Sequence, residues 1–275
     1  MGFNLPTIYT CFPGGKHKVL TMSYDDGRTE DYRLVKLFNA HGIKGTFNLN
    51  GGIHDDPRRI PANEYASVYA GHEIACHTYT HPTIARCPLE QVAWQIHADR
   101  LALEKLTGTP VCGLAYPNGS YSEQIIQLLP ALGIRYARVV PTTGGFDMPA
   151  NWYEWRATCH HSQAMMERAH QFTHLHKTQR LYMMYVWGHS YEFSGRDSWS
   201  WMEEFCAFMG GRDDIWYATN IEIVDYMDAA SRLRYTAAGD YVFNPNACSI
   251  WLQVAAPGQQ PKILEVPGGQ GIRLF

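Results

Sequence analysis

Two short stretches hold residue types that could carry out hydrolysis. Thr21-Met22-Ser23-Tyr24-Asp25-Asp26-Gly27 closes an apolar run on two adjacent carboxylates and a glycine. Like charges side by side repel, so each acid needs its own use. One can bind a metal while the other stays free as a base. Taken alone, Asp-Asp-Gly fits a plain turn equally well, with Asp26 capping the next helix. His77-Thr78-Tyr79-Thr80-His81-Pro82 tips the balance. An H-x-x-x-H pair can set both imidazoles on one side of a helical turn, within reach of one metal. An acid and two histidines with an open position are a usual ligand set for catalytic zinc or a similar ion. Ala115-Tyr116-Pro117-Asn118-Gly119-Ser120-Tyr121 and Val186-Trp187-Gly188-His189 also follow apolar runs.

The segments that must position these residues alternate in type. VLTMSY (19–24), GTFNLN (45–50), EIAC, VCGLAYP (111–117), IRYARVV, RLYMMYVWG (180–188) and DIWYATN read as strands. Between them, EDYRLVKLFNAHG, LEQVAWQIHADRLALEKLTG, SEQIIQLLPALG, SWMEEFCAFMGG and IEIVDYMDAASRL carry helical periodicity. Six or more βα units in a row imply a parallel sheet with helices outside, and this length suits a closed or nearly closed barrel. In such folds function gathers at the C-terminal strand ends, where all four stretches lie. After residue 233 the pattern changes to short β-like runs cut by Pro and Gly. The expected organisation is a barrel over 1–233 and a small β appendage over 234–275.

Bulk properties narrow the partners. With 26 acidic and 23 basic side chains, the formal charge of -3 gives no sign of a nucleic-acid or anionic-membrane surface. No apolar run approaches the roughly 20 residues of a membrane span. Some of the 17 Tyr, 11 Phe and 8 Trp must fill the core, and a surplus on loops would suit flat ligands such as sugar rings. Seven scattered cysteines without a C-x-x-C pair read as reduced thiols. With no apolar leader in the first residues, the expected location is cytoplasmic.

These motifs resemble those of the polysaccharide deacetylases, carbohydrate esterase family four, and of its chitooligosaccharide deacetylases. TMSYDDG resembles T-F-D-D-G, and HTYTHP matches H-x-x-[ST]-H-P. AYPNG resembles the third motif, and VWGH the last, in the family's order from about residue 15 to 230. The resemblance implies a distorted (β/α) barrel of about seven strands and a metal-dependent hydrolase. Its substrate would be an N-acetylated or O-acetylated carbohydrate. Asp25 would be the general base and His189 the general acid. Asp26, His77 and His81 would hold one divalent ion, zinc first, with cobalt, nickel, manganese or iron as alternatives. The backbone N–H at Asn118 would stabilise the oxyanion, and Tyr116, Pro117, Trp187 and Arg156 would line the substrate side.

The chain departs from the pattern at named positions. Ala115 stands where the family has an Arg that pairs with the base, and Asn118 where it has a Tyr. The fourth motif is matched only loosely, by Phe146-Asp147 and Trp152-Tyr153-Glu154-Trp155-Arg156, with Arg156 as the candidate replacement for the missing Arg. A carboxylate must raise the pKa of His189, with Asp147 and Glu154 both open. Cys159-His160-His161 offers the ligand types of a second metal site but reads first as a polar loop, and His174 and His176 are read the same way. Two other readings are a metal-dependent amidohydrolase on a non-sugar C–N bond and an inactive carbohydrate-binding barrel.

Overall fold

The computed structural model describes residues 6–53, 56–195 and 198–275. After β1 (Thr7–Cys11), the central strand β2 (Lys18–Asp25) is buried over its whole length. Then come α1 (Asp31–Ala40), β3 (Gly45–Leu49), α2 (Tyr65–Val68), β4 (Glu73–Cys76), α3 (Leu89–Thr107), β5 (Gly113–Ala115), α4 (Glu123–Leu128) and β6 (Tyr136–Val139). The second half adds β7 (Trp155–Arg156), β8 (Cys159–His160), α5 (Met165–Thr173), β9 (Tyr182–Gly188), α6 (Tyr191–Gly195), α7 (Trp199–Met209), β10 (Ile215–Tyr217) and α8 (Asn220–Ser231). Five short strands finish the chain: β11 (Arg234–Tyr235), β12 (Tyr241–Phe243), β13 (Ile250–Ala255), β14 (Lys262–Val266) and β15 (Gly271–Arg273).

The main sheet is parallel and curled into a distorted barrel, in the order β7-β6-β5-β4-β3-β2-β9-β8. The N-terminal half of β2 also pairs with β10, and its C-terminal half with β3. The two ends of this order, β7 and β8, are consecutive in the chain, separated only by Ala157 and Thr158. One stretch of chain thus pairs first with β6 and then with β9.

Strand alternation sorts the side chains onto two faces. Leu20, Met22 and Tyr24 of β2 pack outward in one core with Leu34 and Phe38 of α1. Val19 faces the other way and shares a second core with Tyr136, Trp155 and Tyr185. The C-terminal strands join that second core through Val242, Ile250 and Leu252. They form two small sheets, β1-β13-β14 and β11-β12-β15, so residues 7–11 pair with the region after 234. Among the described residues no helix is long and apolar enough to cross a membrane.

A polar layer fills the interior between strands. Glu73 of β4 accepts from Thr46 Oγ1 (2.8 Å), the Ile221 backbone N–H (2.9 Å) and the Tyr136 hydroxyl (2.7 Å). Asn220, at the start of α8, accepts from Thr21 Oγ1 and donates to the Tyr185 hydroxyl. These bonds fix the first turn of α8 against β2, β3 and β4.

Burial outweighs the donors around Glu73 and raises its pKa from 4.5 to about 7. Between those values the unfolded chain has released a proton that the folded chain still holds. Stability is therefore greatest below about pH 4.5 for this group and declines as pH rises through 7. Glu73→Gln is expected to remove that part of the decline, read as the difference in urea midpoint between pH 5 and pH 8. An unchanged difference would show that Glu73 titrates normally.

Candidate active site

The turn after β2 is built from its sequence. Asp26 (φ 80°) and Gly27 (φ 62°) are both left-handed, which swings the chain sharply out of the strand. Gly27 is also required by space, since a Cβ there would lie 2.8 Å from Leu49 Cδ2. Asp25 therefore points into the barrel as the last strand residue, while Asp26 stands on the rim.

Asp25 is buried, at 2% exposure. Its Oδ1 accepts from Asn48 Nδ2 at 2.8 Å, and its Oδ2 accepts from the Arg138 guanidinium. His77 Nε2 and His189 Nε2 each lie 3.9 Å from Oδ2. Burial opposes the charge, but Arg138, His77 and His189 overcome it and hold the pKa down to about 2. Arg138 sits on β6, and its guanidinium stacks over Trp187 at 4.3 Å.

Arg138, not Arg156, is thus the partner of the candidate base. Arg156 aligns with Val139, one residue beyond Arg138, and so lies on the opposite face of the sheet. It is exposed and lines a separate cavity with Asp147, Asn151 and Glu154. The run IRYARVV holds two charges, Arg135 and Arg138, and only Arg138 lies within β6.

Asp26, His77 and His81 come together, their ligand atoms all within 4.8 Å of one another. His77 Nδ1 donates to the Ala115 carbonyl at 2.8 Å, which leaves Nε2 with its lone pair. Burial lowers the His77 pKa to about 4, so the ring is neutral at ordinary pH. His81 Nε2 lies 3.1 Å from His77 Nε2. Two imidazole nitrogens and a carboxylate oxygen converging in this way fit a divalent cation of the zinc class. The histidines are not on a helical turn. They sit in a loop where Thr78 (φ 64°) and His81 (φ 58°) are left-handed. Asn50 Nδ2 donates to the carbonyls of His77 and Thr78, and Asp99 of α3 accepts from the His77 backbone N–H at 2.9 Å. Arg59 donates to the Asp26 carbonyl and to Asn50 Oδ1. Asn48, Asn50, Arg59 and Asp99 carried no motif signal of their own.

His189 follows β9, and its Nδ1 lies 3.2 Å from Glu192 Oε1. Burial lowers its affinity for a proton, but Glu192, Asp25 and Asp26 more than compensate and raise the pKa. Asp147 and Glu154 have other partners, Arg180 at 3.8 Å and the Tyr121 hydroxyl at 3.2 Å. The carboxylate three residues after the histidine fills that place. Asn118 is left-handed (φ 57°) in the turn after β5, and its side chain donates to Thr83 Oγ1. Tyr116 and Pro117 are buried, and the Tyr116 hydroxyl donates to the Tyr153 carbonyl. Trp187 lies beneath Arg138, 7% exposed.

Comparison with known proteins agrees with this frame. Residues 13–137, a little under half of the chain, match the polysaccharide deacetylase family. A chitooligosaccharide deacetylase of Azorhizobium caulinodans is 26% identical over 155 residues, covering 54% of this chain and 62% of the relative. The match therefore spans less than two thirds of that relative's length. A solved structure from Mycobacterium smegmatis, assigned to the polysaccharide deacetylases, superposes with a TM-score of 0.61. It shares 17% identity over 82% of this chain and 94% of its own. A family 4 acetyl xylan esterase from Clostridium thermocellum, solved with a cobalt ion, gives a TM-score of 0.50. Its identity is 15% over 75% of this chain and 90% of its own. At such identities the two structures establish the barrel fold.

Two outcomes follow from the geometry. Arg138→Leu leaves the Asp25 charge buried and unpaired, and is expected to cost roughly 3–5 kcal/mol in urea unfolding. Adding Asp25→Asn should recover at least about 1 kcal/mol of that loss; strictly additive effects would deny the pair. Zinc-loaded His77→Ala/His81→Ala protein should hold one equivalent less metal per chain than the wild type, by elemental analysis. Equal metal contents would exclude the Asp26–His77–His81 site.

Proposed function

We propose that the chain is a metal-dependent hydrolase that removes acetyl groups from an acetylated carbohydrate, in the first place an N-acetyl sugar. The observation that carries this reading is Asp25 pinned by Arg138 and Asn48, with His77 and His189 both 3.9 Å from the same carboxylate oxygen. Asp26, His77 and His81 would hold a divalent ion, zinc first. When bound, such an ion supplies a polarised carbonyl and a water acidic enough for a weak base.

The chain's own residues would do the remaining work. Asp25, charged at any working pH, takes the proton of the attacking water. Arg138 and Asn48 hold the carboxylate in one orientation, which limits what it can reach. The backbone N–H at Asn118 would donate to the developing oxyanion, an interaction whose loss commonly costs roughly 10²–10³ in rate. His189, with Nδ1 fixed by Glu192, gives the proton at Nε2 to the leaving amine. An amine leaves poorly without that proton, whereas an aryl oxide leaves readily.

Acetate release should be measured on N-acetylglucosamine oligomers, peptidoglycan fragments, O-acetylated xylan and a cyclic non-sugar amide. Turnover of a carbohydrate is expected. Cleavage of the non-sugar amide alone would overturn the substrate class, and no turnover with metal bound would favour a binding barrel. Asp25→Asn should keep its metal and lose on the order of 10²-fold or more in kcat. His189→Ala should lose far more rate on an N-acetyl amide than on an aryl acetate. Equal losses on both would remove His189 from the acid role.

A further inference from the structure

A second convergence of ligand atoms lies behind His189. Cys159-His160-His161 is not a polar loop: Cys159 and His160 form β8 against β9, and His161 is buried with only 3% of its side chain exposed. Glu192, in the first turn of α6, brings Oε2 to 2.8 Å from His161 Nε2 and 3.2 Å from His160 Nε2. That oxygen is shielded from solvent, yet has no hydrogen-bond partner. Both imidazole nitrogens lie within ion-pair distance of it. Two imidazole nitrogens and a carboxylate oxygen, all within 4.8 Å of one another, converge as ligands around a shared centre do.

The surroundings hold the rings in place. His160 Nδ1 lies 2.8 Å from Ser162 Oγ, the kind of outer partner that orients a ligating imidazole. His161 stacks on Tyr24 and packs on Phe193. Its ring also rests against Gly188, where a Cβ would lie 2.1 Å from Nδ1. Glycine at 188 is thus required for His161 to occupy this place. Two imidazoles and one carboxylate are a ligand set that zinc takes in catalytic sites.

We propose that His160, His161 and Glu192 form a second divalent-metal site of the zinc class, separate from Asp26, His77 and His81. The other oxygen of Glu192 meets His189 Nδ1, and His189 Nε2 lies 3.9 Å from Asp25. This site does not depend on the reaction proposed above.

The full chain should be stripped with a chelator, reloaded with zinc, washed and analysed for metal. Two equivalents per chain are expected in the wild type, and one in His160→Ala and in Glu192→Gln. These two side chains are partly exposed, so both variants should fold, as circular dichroism will check. His77→Ala/His81→Ala protein loaded with cobalt should keep one equivalent with a visible spectrum, and adding His160→Ala should abolish it. One equivalent in the wild type that neither variant lowers, or two equivalents that either variant retains, would overturn the proposal. So would a cobalt spectrum unaffected by His160→Ala.

Discussion

The ion pair between Arg138 and Asp25 sets what the barrel interior can be. β6 and β2 are separated by three strands in the sheet, so the pair reaches across the lumen rather than along one ladder. Taking two charges out of water costs several kcal/mol each, and the attraction offsets this only with good geometry and further hydrogen bonds. Asn48 supplies one such bond and the Trp187 ring another favourable contact. The polar layer of Thr21, Ser23, Thr46, Asn48, Glu73 and Asn220 belongs with this pair. An apolar filling at that level would have left the carboxylate without the Asn48 donor. Hydrocarbon fills the interior elsewhere, where Val19, Tyr136 and Trp155 meet α8 and the C-terminal strands.

The mouth is shaped by backbone conformations that side chains usually avoid. Among the described residues five non-glycine residues have positive φ, and four of them, Asp26, Thr78, His81 and Asn118, lie in the candidate site. Such conformations cost of order 1–3 kcal/mol each and persist where surrounding contacts over-determine them. Asn50, Arg59 and Asp99 are those contacts for the first three residues' loops. The site is costly backbone held by buried hydrogen bonds.

Much of this was legible in the sequence, for reasons particular residues show. A strand buried on both faces reads as a continuous apolar run, so β2 and β9 stood out, and so did the polar residues ending them. Asp25, Asp26, His77, His81 and His189 announced themselves by type and spacing. Arg138 did not, because its partner is 113 residues away and meets it only after the sheet curls. Choosing Arg156 failed on register, since one residue along a strand reverses the face. The helical turn expected for the two histidines failed because no periodicity signals a left-handed Thr78. Glu192 stands only three residues from His189, and the turn into α6 brings the two together. β1 pairs with β13 across almost the whole chain, a contact no local pattern foretells.

The seam of the barrel has a consequence for how the chain could be cut and rejoined. Between β7 and β8 the sheet is closed by covalent continuity: residues 155–160 run on from one edge to the other, and Thr158 donates to the Tyr185 carbonyl on the way. A closed ladder distributes its closure over many hydrogen bonds, so a nick in one loop leaves the rest in place. Here six residues of continuous chain carry the closure from edge to edge, with residues 143–146 bonded alongside. New termini opened in this stretch, as in a circular permutant, would turn the barrel into an open sheet with two bare edges. The same opening placed between β14 and β15 would leave the barrel's closure untouched.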